Sequence, residues 1–202
     1  MRGPRAGFRI PGMSGQVLVT GFEPFRQWAV NSSEQVARAV GAMMPDDVRA
    51  EVLPVDHRAA HRRMIELLVR DRPLACLAMG LWPGDAFRIE RYGRRCPGLA
   101  EIEGAAEIEG AWPWGDMAGR LAGSGRPVVY SEDAGKYVCD TTYWTVLDFR
   151  SRWGYPAYAA FVHLPPVSEE FPVEVMAGAV ARVVEGILSG PGTHAWANGR
   201  TK

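Results

Sequence analysis

Residues 74–80, LACLAMG, are six apolar residues without a charge followed by a glycine. An unbroken apolar run of this length is typical of a strand that is buried on both faces of a sheet. Just upstream, residues 58–71 carry apolar side chains at the spacing of an amphipathic helix. A buried strand beside such a helix predicts a largely parallel sheet with helices on both faces.

The same alternation of strand and helix extends in both directions from this stretch. Upstream, QVLVT is a β-branched strand that ends at Gly21, and a helix follows with Asn31 or Ser32 as its N-cap. The remaining predicted strands are residues 49–54, 127–130 and 157–164, and the remaining predicted helices are residues 117–122, 139–149 and 173–188. The pattern predicts one α/β domain built as a three-layer α/β/α sandwich.

The predicted domain occupies residues 16–190, between a flexible N-terminal arm (residues 1–15) and a flexible tail (residues 191–202). Regularity fails at residues 81–115, which hold three tryptophans and a near-duplication, AEIEG followed by AAEIEG. Two such short copies cannot stack a core of their own. We therefore expect residues 81–115 to form an irregular excursion from the sheet edge, with room for a hairpin.

Composition argues against several classes of function. The 202 residues carry 23 basic and 23 acidic side chains, so no net charge attracts nucleic acid or an anionic membrane. No uncharged apolar stretch is long enough to predict a membrane-spanning helix. Three cysteines without CxxC spacing argue against a disulfide framework and a structural zinc site. This cysteine usage suits a reducing cytoplasm.

Two residues with catalytic potential stand where predicted elements begin or end. Cys139 opens a predicted helix, where the helix dipole and free N–H groups favour a thiolate and can bind an oxyanion. His163 ends a predicted strand just before Pro165, which is a rigid position for a general base. Spacing alone leaves open that both are ordinary packing residues.

Four segments resemble the pyroglutamyl peptidase I family, the C15 cysteine peptidases. They are residues 17–25 (VLVTGFEPF), 89–91 (IER), 131–139 (SEDAGKYVC) and 161–165 (FVHLP), which occur in the family's order. The resemblance implies a phosphorylase/hydrolase-like fold with a mostly parallel mixed sheet. It also implies removal of an N-terminal pyroglutamyl residue from a small peptide or amide substrate, through a thioester and without a cofactor or metal.

The resemblance carries residue roles with it. It implies Cys139 as the nucleophile, His163 as the base and Glu90 as the residue that orients the imidazole. The substrate-binding residues that it implies are Phe22, Phe25, Asn31, Leu81, Arg91 and Val138. Phe22 and Phe25 are expected to sandwich the lactam ring between flat apolar faces, with ordinary packing under a loop as the alternative.

The chain departs from the family pattern at two positions near the expected site. Leu81 stands where the family has a glutamine that helps to read the lactam amide, and Asp140 follows the nucleophile where the family has asparagine. Loss of a buried side chain that hydrogen-bonds the substrate weakens discrimination between substrates. Two alternatives therefore stay open: hydrolysis of another small amide or lactam, and a non-catalytic binding subunit.

Other features allow weaker hypotheses. His57 and His61 have the i, i+4 spacing of a metal pair, but no third ligand is evident, and a solvated helix face is the expected explanation. Trp82, Trp112 and Trp114 are candidates to line a substrate pocket or a subunit contact. The family resemblance implies a homo-oligomer, either a dimer or a tetramer.

Overall fold

A computed structural model describes residues 12–135 and 137–190. Its strands are β1 (Val17–Phe22), β2 (Val48–Leu53), β3 (Ala75–Leu81), β4 (Phe87–Glu90), β5 (Tyr92–Arg94), β6 (Glu107–Glu109), β7 (Val128–Ser131) and β8 (Tyr158–Leu164). Its α-helices are α1 (Ser32–Met43), α2 (His57–Asp71), α3 (Trp114–Ala122), α4 (Val138–Trp153) and α5 (Val173–Leu188). Most of the predicted arm (residues 1–11) and the predicted tail lie outside the described residues.

Six strands form one sheet in the order β2-β1-β3-β8-β4-β7. All neighbouring pairs are parallel except β4 with β8, which are antiparallel. The sheet is therefore mostly parallel and mixed, which confirms the predicted fold class. Strands β5 and β6 form a separate antiparallel pair.

The expectation that residues 81–115 leave the sheet was wrong for β4. This strand is an inner member of the sheet, between β8 and β7. Its sequence, FRIE, buries Phe87 and Ile89 on one face, while Arg88 and Glu90 lie on the other. A four-residue strand with two charges lacks the long apolar run that predicted the other inner strands.

Helices cover both faces of the sheet. Buried side chains of α1, α3 and α5 pack with the apolar residues of one face, and those of α2 and α4 pack with the other face. Asn31 caps α1 by accepting from the N–H of Ser33, and Asp56 caps α2 by accepting from the N–H of Ala59. The first cap was predicted as one of two candidates.

The parallel arrangement brings the ends of three strands, with candidate functional side chains, to one edge of the sheet. Strands β1, β3 and β8 run in parallel, so their carboxyl ends at Phe22, Leu81 and Leu164 lie along the same edge of the sheet. Helix α4 begins at Val138 beside this edge. Within residues 12–135 and 137–190, no helix combines the length and the apolar character needed to span a membrane.

Residues 12–14 of the predicted N-terminal arm contact the domain. The N–H of Ser14 donates to the carbonyl of Arg72, and Met13 is partly buried against both cores. The Nε of Arg72 in turn donates to the carbonyl of Gly12. These contacts tie the start of the described chain to the end of α2.

Candidate active site

His163 and Glu90 form a buried pair between two neighbouring strands. The Nδ1 of His163 lies 2.8 Å from a carboxylate oxygen, Oε1, of Glu90, and their side chains are 2% and 0% exposed. Because Nδ1 is engaged by the carboxylate, the Cδ2 and Nε2 edge of the imidazole is the edge left for chemistry. A carboxylate in this place selects the tautomer with its proton on Nδ1 and stabilises an imidazolium.

Cys139 approaches that free edge across Gly80. A Cβ atom built on Gly80 would lie 2.9 Å from the Cys139 Sγ and 3.1 Å from the His163 Cδ2. The thiol and the imidazole therefore border the same small space above β3, which only a glycine leaves empty. Gly80 also lies opposite His163 in the parallel pairing of β3 with β8. Sequence reasoning treated this glycine only as the end of a strand.

The surroundings of Cys139 disfavour its thiolate form. Burial, and then the negative charges of Asp140 and Glu90, raise the pKa of this thiol above its ordinary value. The backbone N–H of Cys139 acts in the opposite direction. A thiol with a raised pKa needs a neighbouring base to become a nucleophile, and the imidazole of His163 borders the same space as the thiol.

Helix α4 presents its N-terminus to the same space. The N-cap residue, Tyr137, makes no side-chain hydrogen bond to the first turn. The first N–H groups of a helix have no intrahelical acceptor, so they are free to bind a negatively charged oxygen beside Cys139. The arrangement thus combines a nucleophile, a base and a candidate oxyanion hole.

A cavity of about 630 Å³ opens onto Cys139 and His163. Five of the six residues expected to bind substrate line it: Phe22, Phe25, Asn31, Leu81 and Val138. The structure does not bring Arg91 there, because its guanidinium lies 2.8 Å from the Glu109 carboxylate on the outside of the domain. Of the three tryptophans considered, Trp82 lines the cavity, whereas Trp112 is buried in the core and Trp114 borders a separate surface pocket.

Asn31 holds the loop that forms one wall of the cavity. Its side-chain amide donates to the carbonyl of Glu23, while its Oδ1 accepts from both the N–H and the hydroxyl of Ser33. Phe25 and Trp28 close the loop through a backbone hydrogen bond. One buried residue thus fixes the start of α1 and the position of Phe25.

The helix face that bears His57 and His61 does not point to solvent, so the expectation of a solvated face was wrong. Their Nδ1 atoms lie 2.6 Å and 2.8 Å from the hydroxyls of Thr141 and Thr145 on α4. His57 also lines the cavity, which the i, i+4 spacing gave no reason to expect. Among residues 12–135 and 137–190 there is no group of three side chains suited to a metal.

Asp140, next to the thiol, is a buried carboxyl group. It is 1% exposed, and its Oδ1 accepts from the N–H of Arg94 at 3.3 Å. Burial raises the pKa of Asp140 to about 6, and the contact with Arg94 offsets this only in part. Above that pH the fold holds a buried negative charge, which itself opposes ionisation of Cys139.

We expect Asp140→Asn to stabilise the fold at alkaline pH and not at acid pH. A carboxyl whose pKa is higher in the folded chain than in the unfolded chain favours folding below its unfolded pKa. That contribution is lost as the pH rises through about 6. Urea unfolding should give a free energy of unfolding about 1–2 kcal/mol higher than wild type at pH 8, and no gain near pH 4. The exposed Asp46→Asn serves as control, and an equal gain at both pH values would contradict the assignment.

Comparison with known proteins finds similarity along most of the chain. A sequence model described as pyroglutamyl peptidase matches residues 15–96 and 99–191. The pyrrolidone-carboxylate peptidase of Pyrococcus furiosus is 30% identical over 172 residues, which cover 77% of this chain and 83% of that protein. Pyroglutamyl-peptidase 1 of Rattus norvegicus is 28% identical over 191 residues, covering 85% of this chain and 89% of that protein.

Solved structures give the same result. The crystal structure of the pyrrolidone carboxyl peptidase from Pyrococcus furiosus superimposes with a TM-score of 0.74 and 26% sequence identity. The superposition covers 84% of this chain and 96% of that one. The matched region includes the strands and the helix that carry Glu90, Cys139 and His163.

Proposed function

Since the chain belongs to the pyroglutamyl peptidase family, we propose that it is a cysteine peptidase that removes an N-terminal pyroglutamyl residue from peptides. The observation that carries the proposal is the arrangement of Cys139, His163 and Glu90 at the mouth of an apolar cavity. A nucleophile, a base and a residue that orients the base are the parts that thioester chemistry requires.

Acylation uses the imidazole first as a base and then as an acid. The Nε2 of His163 takes the proton of the Cys139 thiol as the sulfur attacks the carbonyl carbon of the scissile amide. The first-turn N–H groups of α4 bind the developing oxyanion. The tetrahedral intermediate then expels the amine, which takes the proton from the imidazolium, and a thioester remains on Cys139.

Deacylation repeats the transfer with water. His163 takes a proton from a water molecule, whose oxygen attacks the thioester carbonyl and forms a second oxyanion. Collapse of this intermediate breaks the C–S bond, and the sulfur takes the proton back from the imidazolium. Glu90 keeps its charge throughout and stabilises the imidazolium in both steps.

The cavity suits a small, flat and mostly apolar acyl group. Phe22 and Phe25 offer aromatic faces, and Leu81 and Val138 add aliphatic walls beside the nucleophile. Asn31 supports the wall that carries Phe25, so we assign it a positioning role in binding. Arg91 is left as a surface residue that pairs with Glu109, and it has no contact with this cavity.

Turnover of pyroglutamyl-aminomethylcoumarin tests the proposal directly. We expect the wild-type protein to release the fluorophore and Cys139→Ala to release none above background, because no other thiol and no serine or threonine hydroxyl lines the cavity in the described part of the chain. Cys76→Ala is the matched control, since this cysteine is buried in the core and does not line the cavity. Equal turnover by Cys139→Ala would refute the assigned nucleophile.

A second candidate keeps the chemistry but changes the acyl group. Leu81 provides an aliphatic wall where a polar side chain would read the lactam amide. Such a site would hydrolyse another small amide or lactam. The remaining alternative is a non-catalytic binding subunit, which would show no turnover and an unreactive Cys139. Stoichiometric labelling of Cys139 by iodoacetamide without pyroglutamyl turnover supports the first of these two alternatives.

Leu81→Gln is expected to raise kcat/KM for the pyroglutamyl substrate about tenfold, because it adds a hydrogen-bond partner for the lactam in an apolar wall. The measurement is steady-state turnover, with Leu81→Met as a control of similar volume. A folded Leu81→Gln variant with an unchanged or lower kcat/KM would argue against this account of the wall.

We also propose that the protein works in the cytoplasm as a homo-oligomer. The three cysteines are free, as expected where thiols stay reduced. Strand β7 lies at the edge of the sheet, and its Val129 and Tyr130 are 46% and 52% exposed. Light scattering on the purified protein measures the oligomeric state.

A further inference from the structure

We propose that Arg88 is a positioning residue of the catalytic site, whose guanidinium holds Glu90, Trp82 and the loop before Cys139 in place and offsets the charge of the Glu90 carboxylate. The inference rests on the proposed function for its activity readout only.

Strand pairing places Arg88 next to both members of the buried pair. Arg88 is directly opposite His163 in the antiparallel ladder of β4 and β8, and Glu90 is opposite Phe161. Side chains two residues apart on a strand share one face, so Arg88 and Glu90 point toward the layer that contains α4. This placement depends on β4 being an inner strand.

The guanidinium contacts the acid of the buried pair. The Nε of Arg88 lies 2.9 Å from Oε1 of Glu90, the same oxygen that accepts from the His163 Nδ1. The Arg88 contact is an ion pair with poor hydrogen-bond direction, because Nε has no aligned acceptor. Its effect on Glu90 is therefore mainly one of charge. The carboxylate itself is fully buried, where an uncompensated charge is costly.

The other end of the guanidinium binds the segment that leads to the nucleophile. Nη2 of Arg88 donates at 2.5 Å to the hydroxyl of Ser131 and at 2.5 Å to the carbonyl of Asp133. Residues 131–135 precede the helix that begins with Val138 and Cys139. Arg88 thus links the acid on one strand to the approach of the nucleophile.

The flat face of the same group lies over Trp82 in the cavity wall. The Cζ of Arg88 is 4.2 Å from the centre of the Trp82 ring, and the Trp82 and His163 rings are 5.8 Å apart. The indole is therefore in contact with the guanidinium and with the catalytic imidazole. A cation over the face of tryptophan is a favourable arrangement that lysine reproduces less well.

Charge gives Arg88 an effect that a purely structural residue would lack. The titratable and charged groups near Glu90 and His163 include Arg88 from β4, and Cys139, Asp140 and Tyr143 from α4, with Arg94 of β5 beside Asp140. Arg88 is the cation that contacts the Glu90 carboxylate. Without Arg88, the Glu90 carboxylate more strongly favours the form of the site in which Cys139 is a thiol and His163 is an imidazolium. That form is inactive, so the acid limb of activity moves to higher pH.

The test measures how the reactivity of Cys139 and the activity depend on pH in the Arg88→Met variant. The first readout is the rate of carbamidomethylation of Cys139 by iodoacetamide, followed by mass spectrometry, and the second is kcat/KM for pyroglutamyl-aminomethylcoumarin. We expect the acid limb of both profiles to move up by about half a pH unit or more. We expect kcat at pH 7 to fall about tenfold, with KM changed less than about twofold.

Three variants separate charge from packing. Arg88→Lys keeps the cation and should return the acid limb toward its wild-type position. Arg88→Gln has no charge, so its acid limb should move as far as that of Arg88→Met. It serves in place of Arg88→Met if the methionine variant does not fold. Arg126→Met removes an arginine that lies over Phe171, away from the cavity. It should leave the profile unchanged.

The proposal is overturned if Arg88→Met and Arg88→Gln keep the wild-type acid limb, or if Arg126→Met moves it equally. Alkylation needs no substrate. A wild-type protein that does not hydrolyse the pyroglutamyl substrate would therefore refute the proposed function, while the alkylation profile would still decide the role of Arg88.

Discussion

Replacing His163 by alanine is expected to lower kcat for pyroglutamyl-aminomethylcoumarin by about 10³-fold or more, because the base and acid of both chemical steps is removed. Burial and neighbouring negative charges raise the pKa of the Cys139 thiol, so this thiol needs a base to become a nucleophile. The rate of alkylation of Cys139 should fall in parallel with kcat.

The variant must be shown to fold, because Glu90 is buried and loses its partner when His163 is removed. Thermal unfolding measures this, and His163→Gln serves as a second variant that keeps a polar side chain near Glu90. His61→Ala is the matched control, since this histidine contacts Thr145 away from the cavity. A folded His163→Ala protein that retains more than half of the wild-type rate would eliminate the assignment.

The second large effect is expected for Gly80→Ala, which should lower kcat/KM about 10²-fold, because displacing a reacting group by a fraction of an ångström to 1 Å costs about that much. The added methyl group would lie 2.9 Å from the Cys139 Sγ and 3.1 Å from both the His163 Cδ2 and the Phe161 ring. The thiol and the imidazole must therefore shift from their present positions.

Gly119→Ala provides the matched control for this prediction. It makes the same change in the middle of α3, where an added Cβ meets nothing within 4 Å. It should stabilise the protein by about 0.5–1 kcal/mol without altering kcat/KM. If Gly80→Ala folds and turns over substrate as fast as wild type, the thiol and the imidazole do not need the space above β3.

Much of the fold was predictable because the spacing of apolar residues along the chain indicates which side chains face the core. The five helices and five strands of the main sheet were expected close to their observed positions, including the cap at Asn31. Strand β4 was not expected, because its charges at Arg88 and Glu90 look like a solvated surface in sequence. They are buried or half-buried only because His163, Ser131 and Asp133 supply their partners from distant segments.

The candidate site was predictable to the extent that segments matched a known family. Phe22, Phe25, Asn31, Leu81 and Val138 do line one cavity with Cys139 and His163. Arg91 does not, although it follows Glu90 directly, because successive residues on an extended chain point in opposite directions. His57 was missed for the converse reason, since no spacing rule connects the start of α2 to a loop or helix far along the chain.

By itself, the sequence predicted the order of the five helices and of five strands, the fold class, and the three residues proposed for catalysis. The spacing of apolar residues and the residues that begin or end helices and strands depend on neighbours within a few positions. They can therefore be recognised in the sequence alone. The tertiary structure alone decided that β4 lies beside β8, and therefore that Glu90 and Arg88 reach His163. It also decided that Gly80 leaves the gap that Cys139 and His163 share. Both are contacts between residues distant in the chain, created by strand pairing and helix packing.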